Sequence, residues 1–103
     1  MRLNKIKEAI SDIKSGKMVI VIDNEDRENE GDFIIASEMA KVEDINFMMK
    51  EGRGLICISI NNDTANKLDL SPMVVENTSS HETNFTVSVD AIKNCTTGIS
   101  SND

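Results

Sequence analysis

The sequence contains no tryptophan and no tyrosine, and it has only three phenylalanines among its 103 residues. Aromatic rings therefore cannot dominate a core, which has to be packed from Ile, Val, Leu and Met. Apolar residues still make up 39% of the chain, so a core is feasible. The length suffices for one small domain and is too short for two.

Positive charge is also scarce, because 11 Lys and Arg stand against 18 Asp and Glu and leave a net charge of −7. A nucleic-acid surface needs aligned Lys and Arg side chains, and adhesion to an anionic membrane needs them too. We therefore expect no nucleic-acid partner and no membrane partner. The sequence also lacks a long apolar run and a signal-peptide pattern at its start.

Cysteine is limited to Cys57 and Cys95, which lie far apart and form no C-x-x-C pair. With one histidine, His81, they supply too few ligands for a four-coordinate zinc site. A disulfide framework would be unusual with this spacing. We expect reduced thiols in a cytoplasmic protein.

The spacing of apolar residues predicts the order helix, strand, strand, helix, strand, helix, strand. The first helix follows from Leu3, Ile6, Ile10 and Ile13, which share one face, and Gly16 can end it. Strands are predicted near residues 18–22, 33–36, 55–60 and 85–89, and further helices near residues 45–52 and 63–68. Asp63 is expected to cap the last helix.

This order predicts an α/β or α+β fold in which helices pack on a mixed sheet. Several strands are mostly apolar, as in strands covered on both faces, yet few helices are present to cover them. The chain is polar from Asn94 onward and has no closing element. We expect either extensive dimerisation or, in preference, a chain that forms only part of a domain.

An acidic segment at residues 23–32 joins the first two predicted strands and ends in Gly31 and Asp32, where a glycine permits a tight turn. Its charge is −5, from a single arginine, Arg27, and the six carboxylates Asp23, Glu25, Asp26, Glu28, Glu30 and Asp32. A solvated surface turn is one interpretation, although a single arginine amid the acids suggests that Arg27 has a fixed partner. The other is a site for a hard divalent cation such as Mg²⁺, which prefers oxygen ligands. An EF-hand calcium loop does not fit, because counting from Asp26 puts Ser37 where the bidentate Glu belongs.

The run D-N-E-D-R-E-N-E-G-D-F-I at residues 23–34 resembles the D-D-E-D-R-E-N-E-G-D signature of the 3,4-dihydroxy-2-butanone-4-phosphate synthases. Asn24 departs from the usual Asp, at a position to which the family assigns no metal. Further matches keep their order and spacing over nearly the whole chain: A-S-E-M-A at 36–40, I-N-F-M-M-K-E-G-R-G-L-I-C at 45–57, L-D-L-S-P-M at 68–73, F-T-V-S-V-D at 85–90 and T-T-G-I-S at 96–100.

The resemblance implies a riboflavin-pathway lyase that converts D-ribulose 5-phosphate into 3,4-dihydroxy-2-butanone 4-phosphate and formate. It implies Mg²⁺ (or Mn²⁺) as a Lewis acid at the sugar oxygens. Carried over by position, Glu28 is the metal ligand, and Arg27 and Asp32 contact the sugar phosphate. Asp23 and Glu25 are candidate acid/base or positioning groups.

Two further residues have ordinary structural interpretations beside the functional one. The resemblance places Cys57 near the catalytic site, although a cysteine in an apolar run is most often a small hydrophobe. Thr97 can bond a substrate oxygen, although a threonine beside glycine is commonly a turn former.

The resemblance also implies a homodimer, with residues 1–103 as the N-terminal portion of a single synthase domain whose C-terminal half is absent. That half carries the family's Gly-His-Thr metal histidine, an arginine and a distal glutamate, so the chain alone is expected to lack activity. Two alternatives stay open. One is a bifunctional protein with a GTP cyclohydrolase II domain downstream, and the other is a non-enzymatic acidic module that binds a divalent ion or a protein partner.

Overall fold

The computed structural model describes residues 3–103, which divide into two compact units with the boundary between Ile56 and Cys57. The first unit holds two helices and a β-hairpin. The second unit holds one short helix and a series of ordered turns.

Helix α1 spans Ile6–Lys14 and confirms the helix predicted from the apolar spacing. Its start is stabilised by Glu8, which accepts a hydrogen bond from the backbone N–H of Lys5 at 2.7 Å. At its end, the N–H groups of Gly16 and Lys17 donate to the carbonyls of Ile13 and Asp12 at 3.0 and 2.9 Å. This is a Schellman closure, and it needs the left-handed conformation that Gly16 adopts at φ +75°.

The first unit contains an antiparallel hairpin of β1, Val19–Ile22, and β2, Gly31–Ile34. Val19 pairs with Ile34 and Ile22 with Gly31, so the two strands start and end in register. Helix α1 contacts β1. The hairpin confirms the two strands predicted on either side of the acidic segment, and it anchors both ends of that segment.

A 3₁₀ turn at Ser37–Met39 follows the hairpin and leads to helix α2, Val42–Phe47, which continues as a π-helical turn at Met48–Gly52. Together α2 and this turn confirm the helix predicted near residues 45–52. The π-helical turn contacts β2. There the rings of Phe33 and Phe47 lie 5.4 Å apart at 53°, a tilted geometry that aromatic pairs favour.

Helix α3 of the second unit spans Asn62–Lys67. The residue that caps it is Asn61, whose Oδ1 accepts a hydrogen bond from the backbone N–H of Thr64 at 2.8 Å. The prediction that Asp63 caps this helix is therefore wrong. Asp63 lies within the first turn, where its negative charge still favours the positive end of the helix dipole.

The two later strands that the sequence predicts differ in the structure. Residues 55–60 belong to no regular strand, and residues 85–89 contribute a single antiparallel bridge between Thr86 and Pro72. The flanking hydrogen bonds run from Met73 N–H to the Phe85 carbonyl and from Val87 N–H to the Ser71 carbonyl, each at 2.9 Å. In this pattern Pro72 and Thr86 form a non-hydrogen-bonded pair, in which the backbone N of Pro72 faces away from Thr86, so the missing N–H of proline does not disturb the bridge.

The predicted α+β class is confirmed, while the sheet of the described residues is a two-stranded antiparallel one. No residue from 3 to 103 is buried, and Ile20 in β1 is 63% exposed. The expectation that β1 is covered on both faces is thus wrong for the described chain, because three of its four residues are exposed although α1 contacts it. Over the same residues, no helix has the length and apolarity needed to cross a membrane.

The cap of α3 gives a direct test of the fold. Replacing Asn61 by Ala removes the acceptor for Thr64 N–H and should destabilise α3 by about 1 kcal/mol. Amide hydrogen exchange across the helix should then accelerate roughly fivefold. The control Asp63→Ala should have a smaller effect, and an equal or larger one would contradict this assignment of the cap.

Candidate functional site

The candidate site is built on the loop of residues 23–30 that joins β1 to β2. Pairing extends one step beyond the strands, because Asp23 N–H donates to the Glu30 carbonyl at 3.3 Å. A turn then begins at Asn24, whose carbonyl accepts from Arg27 N–H at 3.0 Å. The acidic segment is therefore an ordered loop with fixed ends.

The carboxylate of Asp23 organises this loop. Its Oδ2 accepts from the backbone N–H of Glu28 at 3.0 Å, and its Oδ1 accepts from that of Glu30 at 2.9 Å. Arg27 Nη1 also donates to Oδ2 at 3.0 Å. These bonds lower the pKa of Asp23 from its ordinary value of 3.8. The Glu28 and Glu30 amides contribute most, and Arg27 contributes less.

The left-handed conformation in this loop belongs to Asn29, at φ +53°. The expectation that Gly31 supplies the turn is wrong, because Gly31 is the first residue of β2 and pairs with Ile22. Asparagine is one of the few non-glycine residues that enter this region readily. Sequence reasoning missed Asn29, although an asparagine two residues before Gly31 is itself a turn signal.

Arg27 joins the two best-defined carboxylates of the site. Its Nη1 donates to Asp23 Oδ2 at 3.0 Å, and its Nη2 lies 3.1 Å from Glu28 Oε1. The side chains of Arg27, Asp23 and Glu28 are 53%, 21% and 32% exposed, so the cluster lies at the surface. The expectation that Arg27 has a fixed partner is confirmed, and it has two.

Only one oxygen of the Glu28 carboxylate has a partner among residues 3–103. Its Oε1 pairs with Arg27, whereas its Oε2 meets no donor among residues 3–103. The same residues contain no group of three or more His, Cys, Asp or Glu side chains arranged to hold a metal ion. Glu28 is thus oriented by Arg27 through one oxygen and belongs to no such group.

The other predicted site residues take different places. Glu25 lies exposed in the loop, and the exposed Asp32 pairs with Val21 in the ladder of β2. Cys57 and Thr97 are exposed residues of the second unit. The structure therefore brings Asp23, Arg27 and Glu28 into direct contact, and it places Cys57 and Thr97 in a separate compact unit.

The family profile described as 3,4-dihydroxy-2-butanone 4-phosphate synthase matches residues 7–103. The chain is 59% identical over 100 residues to the "Riboflavin biosynthesis protein RibBA" of Chlorobium phaeovibrioides, covering 96% of this chain and 24% of that protein. It is 51% identical over 100 residues to the 3,4-dihydroxy-2-butanone 4-phosphate synthase of Wolinella succinogenes, covering 97% of this chain and 28% of that protein.

Among solved structures, the chain is similar to a 3,4-dihydroxy-2-butanone 4-phosphate synthase in complex with two magnesium ions. The TM-score is 0.93 at 41% identity, over 98% of this chain and 47% of that one. The chain belongs to the 3,4-dihydroxy-2-butanone 4-phosphate synthase family. It spans about a quarter of the length of the curated relatives it matches.

The lowered pKa of Asp23 gives a prediction with a definite sign. The ionised carboxylate orders the loop at pH values above 3.8, and this contribution is lost as the pH falls through the lowered pKa of the folded state. Nuclear magnetic resonance should therefore show the Glu28 and Glu30 amides shifting together in acid, with a midpoint below 3.8.

The variant Asp23→Asn should abolish that acid step. Asp26→Asn is the matched control, since Asp26 lies in the same loop and makes no side-chain hydrogen bond to residues 3–103. An acid step that survives in Asp23→Asn would show that another group orders the two amides.

Proposed function

We propose that this chain supplies the acidic-loop half of the active site in a riboflavin-biosynthesis lyase. The reaction converts D-ribulose 5-phosphate into 3,4-dihydroxy-2-butanone 4-phosphate and formate. The observation that carries the proposal is the contact network of Asp23, Arg27 and Glu28 within a chain of this family. In an acidic turn that is merely solvated, we would not expect one carboxylate to bind two backbone amides and an arginine, as Asp23 does.

The donor chemistry of the loop fits a hard divalent ion, Mg²⁺ or Mn²⁺. Mg²⁺ prefers oxygen ligands, keeps several waters and needs only one or two protein carboxylates beside the oxygens of a substrate. Glu28 offers such an oxygen, Oε2, while Arg27 fixes the other. When bound, a divalent ion supplies Lewis-acid stabilisation for negative charge that develops on sugar oxygens.

The charges of the loop assign roles to its residues. A surface this acidic repels a phosphorylated sugar unless cations intervene. Arg27, at 53% exposure, is the cation of the loop and a contact for the sugar phosphate, together with Asp32. Asp23 has its oxygens occupied by donors, so it acts as a positioning residue, and the exposed Glu25 remains the loop's acid/base candidate.

Cys57 and Thr97 complete the proposed set of site residues, with Thr97 as a substrate contact and Cys57 as a minor catalytic candidate. We further propose that residues 1–103 form the N-terminal portion of a single synthase domain. The intact protein is then a cytoplasmic homodimer without nucleic-acid or membrane partners.

The metal role of Glu28 is testable in a full-length synthase that carries this chain. Glu28→Gln keeps the shape of the side chain but removes its charge, so formate release from ribulose 5-phosphate should fall on the order of 100-fold or more. Mn²⁺ binding, followed by electron paramagnetic resonance, should weaken in parallel.

Asp26→Asn is again the control, because it removes the same charge from the same loop without touching Glu28. It should keep turnover and Mn²⁺ affinity within about threefold of the wild type. Equal losses in the two variants would reduce the role of Glu28 to bulk charge. A wild type that binds Mn²⁺ without any turnover would instead favour the non-enzymatic acidic module.

Activity of the 103-residue chain by itself is a separate question. One protein carboxylate and no cluster of three metal-binding side chains among residues 3–103 make an incomplete site. The purified chain should therefore release no formate from ribulose 5-phosphate in the presence of Mg²⁺. Formate above the level of a blank that lacks protein would contradict this.

A second candidate is a bifunctional protein that adds a GTP cyclohydrolase II domain. It is supported by the 59% identity to a relative named "Riboflavin biosynthesis protein RibBA", of which this chain covers 24%. That domain would bring a zinc site, so tightly bound zinc in the intact protein distinguishes it from a synthase alone.

A further inference from the structure

A second carboxylate-centred loop lies at residues 96–103, in the second unit. Asp103 Oδ1 accepts from the backbone N–H of Thr96 at 2.8 Å, and its Oδ2 accepts from that of Gly98 at 2.9 Å. The hydroxyl of Thr96 lies 3.1 and 3.0 Å from the same two oxygens. One side chain therefore holds the residues on both sides of Thr97.

Gly98 is constrained from a second direction. Its φ of +82° lies in the left-handed region, and a Cβ built there would fall on the carboxylate of Asp90. On the other side of the loop, Asp103 N–H donates to the Ser100 carbonyl at 3.0 Å and lies 3.3 Å from the Ser100 hydroxyl. The backbone around Thr97 is thus held by hydrogen bonds to Asp103 and closely approached by Asp90.

Thr97 itself keeps its hydrogen-bonding groups for an outside partner. It is exposed, and its hydroxyl makes no hydrogen bond to any residue between 3 and 103. By contrast, the hydroxyl of its neighbour Thr96 is committed to Asp103. A hydroxyl without a hydrogen-bond partner on a fixed backbone suits a ligand contact, because binding then loses little conformational entropy of the protein.

We infer that Asp103 is a positioning residue for substrate binding, which holds Thr97 in place through Thr96 and Gly98. The inference rests on the proposed function, in which Thr97 contacts the sugar phosphate. Asp103 does not touch the substrate in this scheme. Both of its oxygens are occupied by donors, so its charge is offset before a phosphorylated ligand arrives.

The protonation of Asp103 agrees with this role. Hydrogen bonds lower the pKa of Asp103 from 3.8 to about 2. The largest contribution comes from the backbone N–H of Thr96, and smaller ones come from the Thr96 and Ser100 hydroxyls and the Gly98 N–H. The stabilisation is present above pH 3.8 and is lost as the pH falls to about 2. The Asp103 carboxylate is therefore ionised at neutral assay pH, and its hydrogen bonds to Thr96 and Gly98 are retained.

The test is a double-mutant cycle in a full-length synthase that carries this chain, with Asp103→Asn, Thr97→Val and the pair. Asp103→Asn leaves an amide nitrogen facing an N–H donor, and each single variant should raise KM for ribulose 5-phosphate about tenfold with a smaller change in kcat. The double variant should be no worse than Thr97→Val within about twofold, because Asp103 acts through Thr97.

Two further variants guard against a merely structural effect. Thr96→Val removes only the hydroxyl contact to Asp103 and should raise KM by an intermediate factor, which keeps the test valid if Asp103→Asn fails to fold. Asn102→Ala changes an exposed neighbour that makes no hydrogen bond to Thr96 or Gly98, and it should leave KM and kcat unchanged.

The outcomes separate this inference from the function on which it rests. Effects that multiply in the double variant, or an unchanged KM in Asp103→Asn, would overturn the positioning role while leaving the synthase assignment intact. Unchanged hydrogen exchange of the Thr96 and Gly98 amides in Asp103→Asn would overturn it as well, without any need for turnover. A folded wild type that neither binds nor converts ribulose 5-phosphate would instead refute the proposed function, and this inference with it.

Discussion

The bonding of one carboxylate to the backbone sets the form of the acidic loop. Six carboxylates within ten residues repel one another, and the loop is ordered because Asp23 binds the amides of Glu28 and Glu30. Arg27 then ties Asp23 to Glu28. Arg27 offsets part of the negative charge of these two carboxylates, and the second oxygen of Glu28 meets no donor among residues 3–103.

Local rules explain why much of the fold could be predicted from the sequence. The spacing of isoleucines fixes α1, and Gly16 ends it, because both signals act within a few residues. Strand pairing is not local. Residues 85–89 alternate as a strand should, but they form only a single bridge, between Thr86 and Pro72, and only the structure shows which segment faces them. The prediction of the α3 cap was wrong for another reason. Asn61 and Asp63 are both suitable capping residues, and the choice between them depends on the residue at which the helix begins.

The candidate site divides in the same way. The signature at residues 23–34 was enough to identify the family and the loop, and a lone arginine among acids predicted an ion pair. The sequence could not show which acidic side chain binds the backbone amides, because that depends on the path of the loop, which includes the left-handed backbone conformation of Asn29. The contact between Thr96 and Asp103 joins residues seven apart that lie in no helix or strand, so no periodic pattern in the sequence indicates it.

The left-handed backbone conformation of Asn29 also limits which residues the loop can accept at this position. A residue at φ +53° disfavours branched side chains, at a cost on the order of 1 kcal/mol, whereas asparagine, aspartate and glycine fit. Glycine would nevertheless enlarge the conformational freedom of the unfolded chain. Mutational drift at position 29 is therefore restricted to a few residue types by backbone geometry alone, even though the Asn29 side chain has no assigned part in the chemistry.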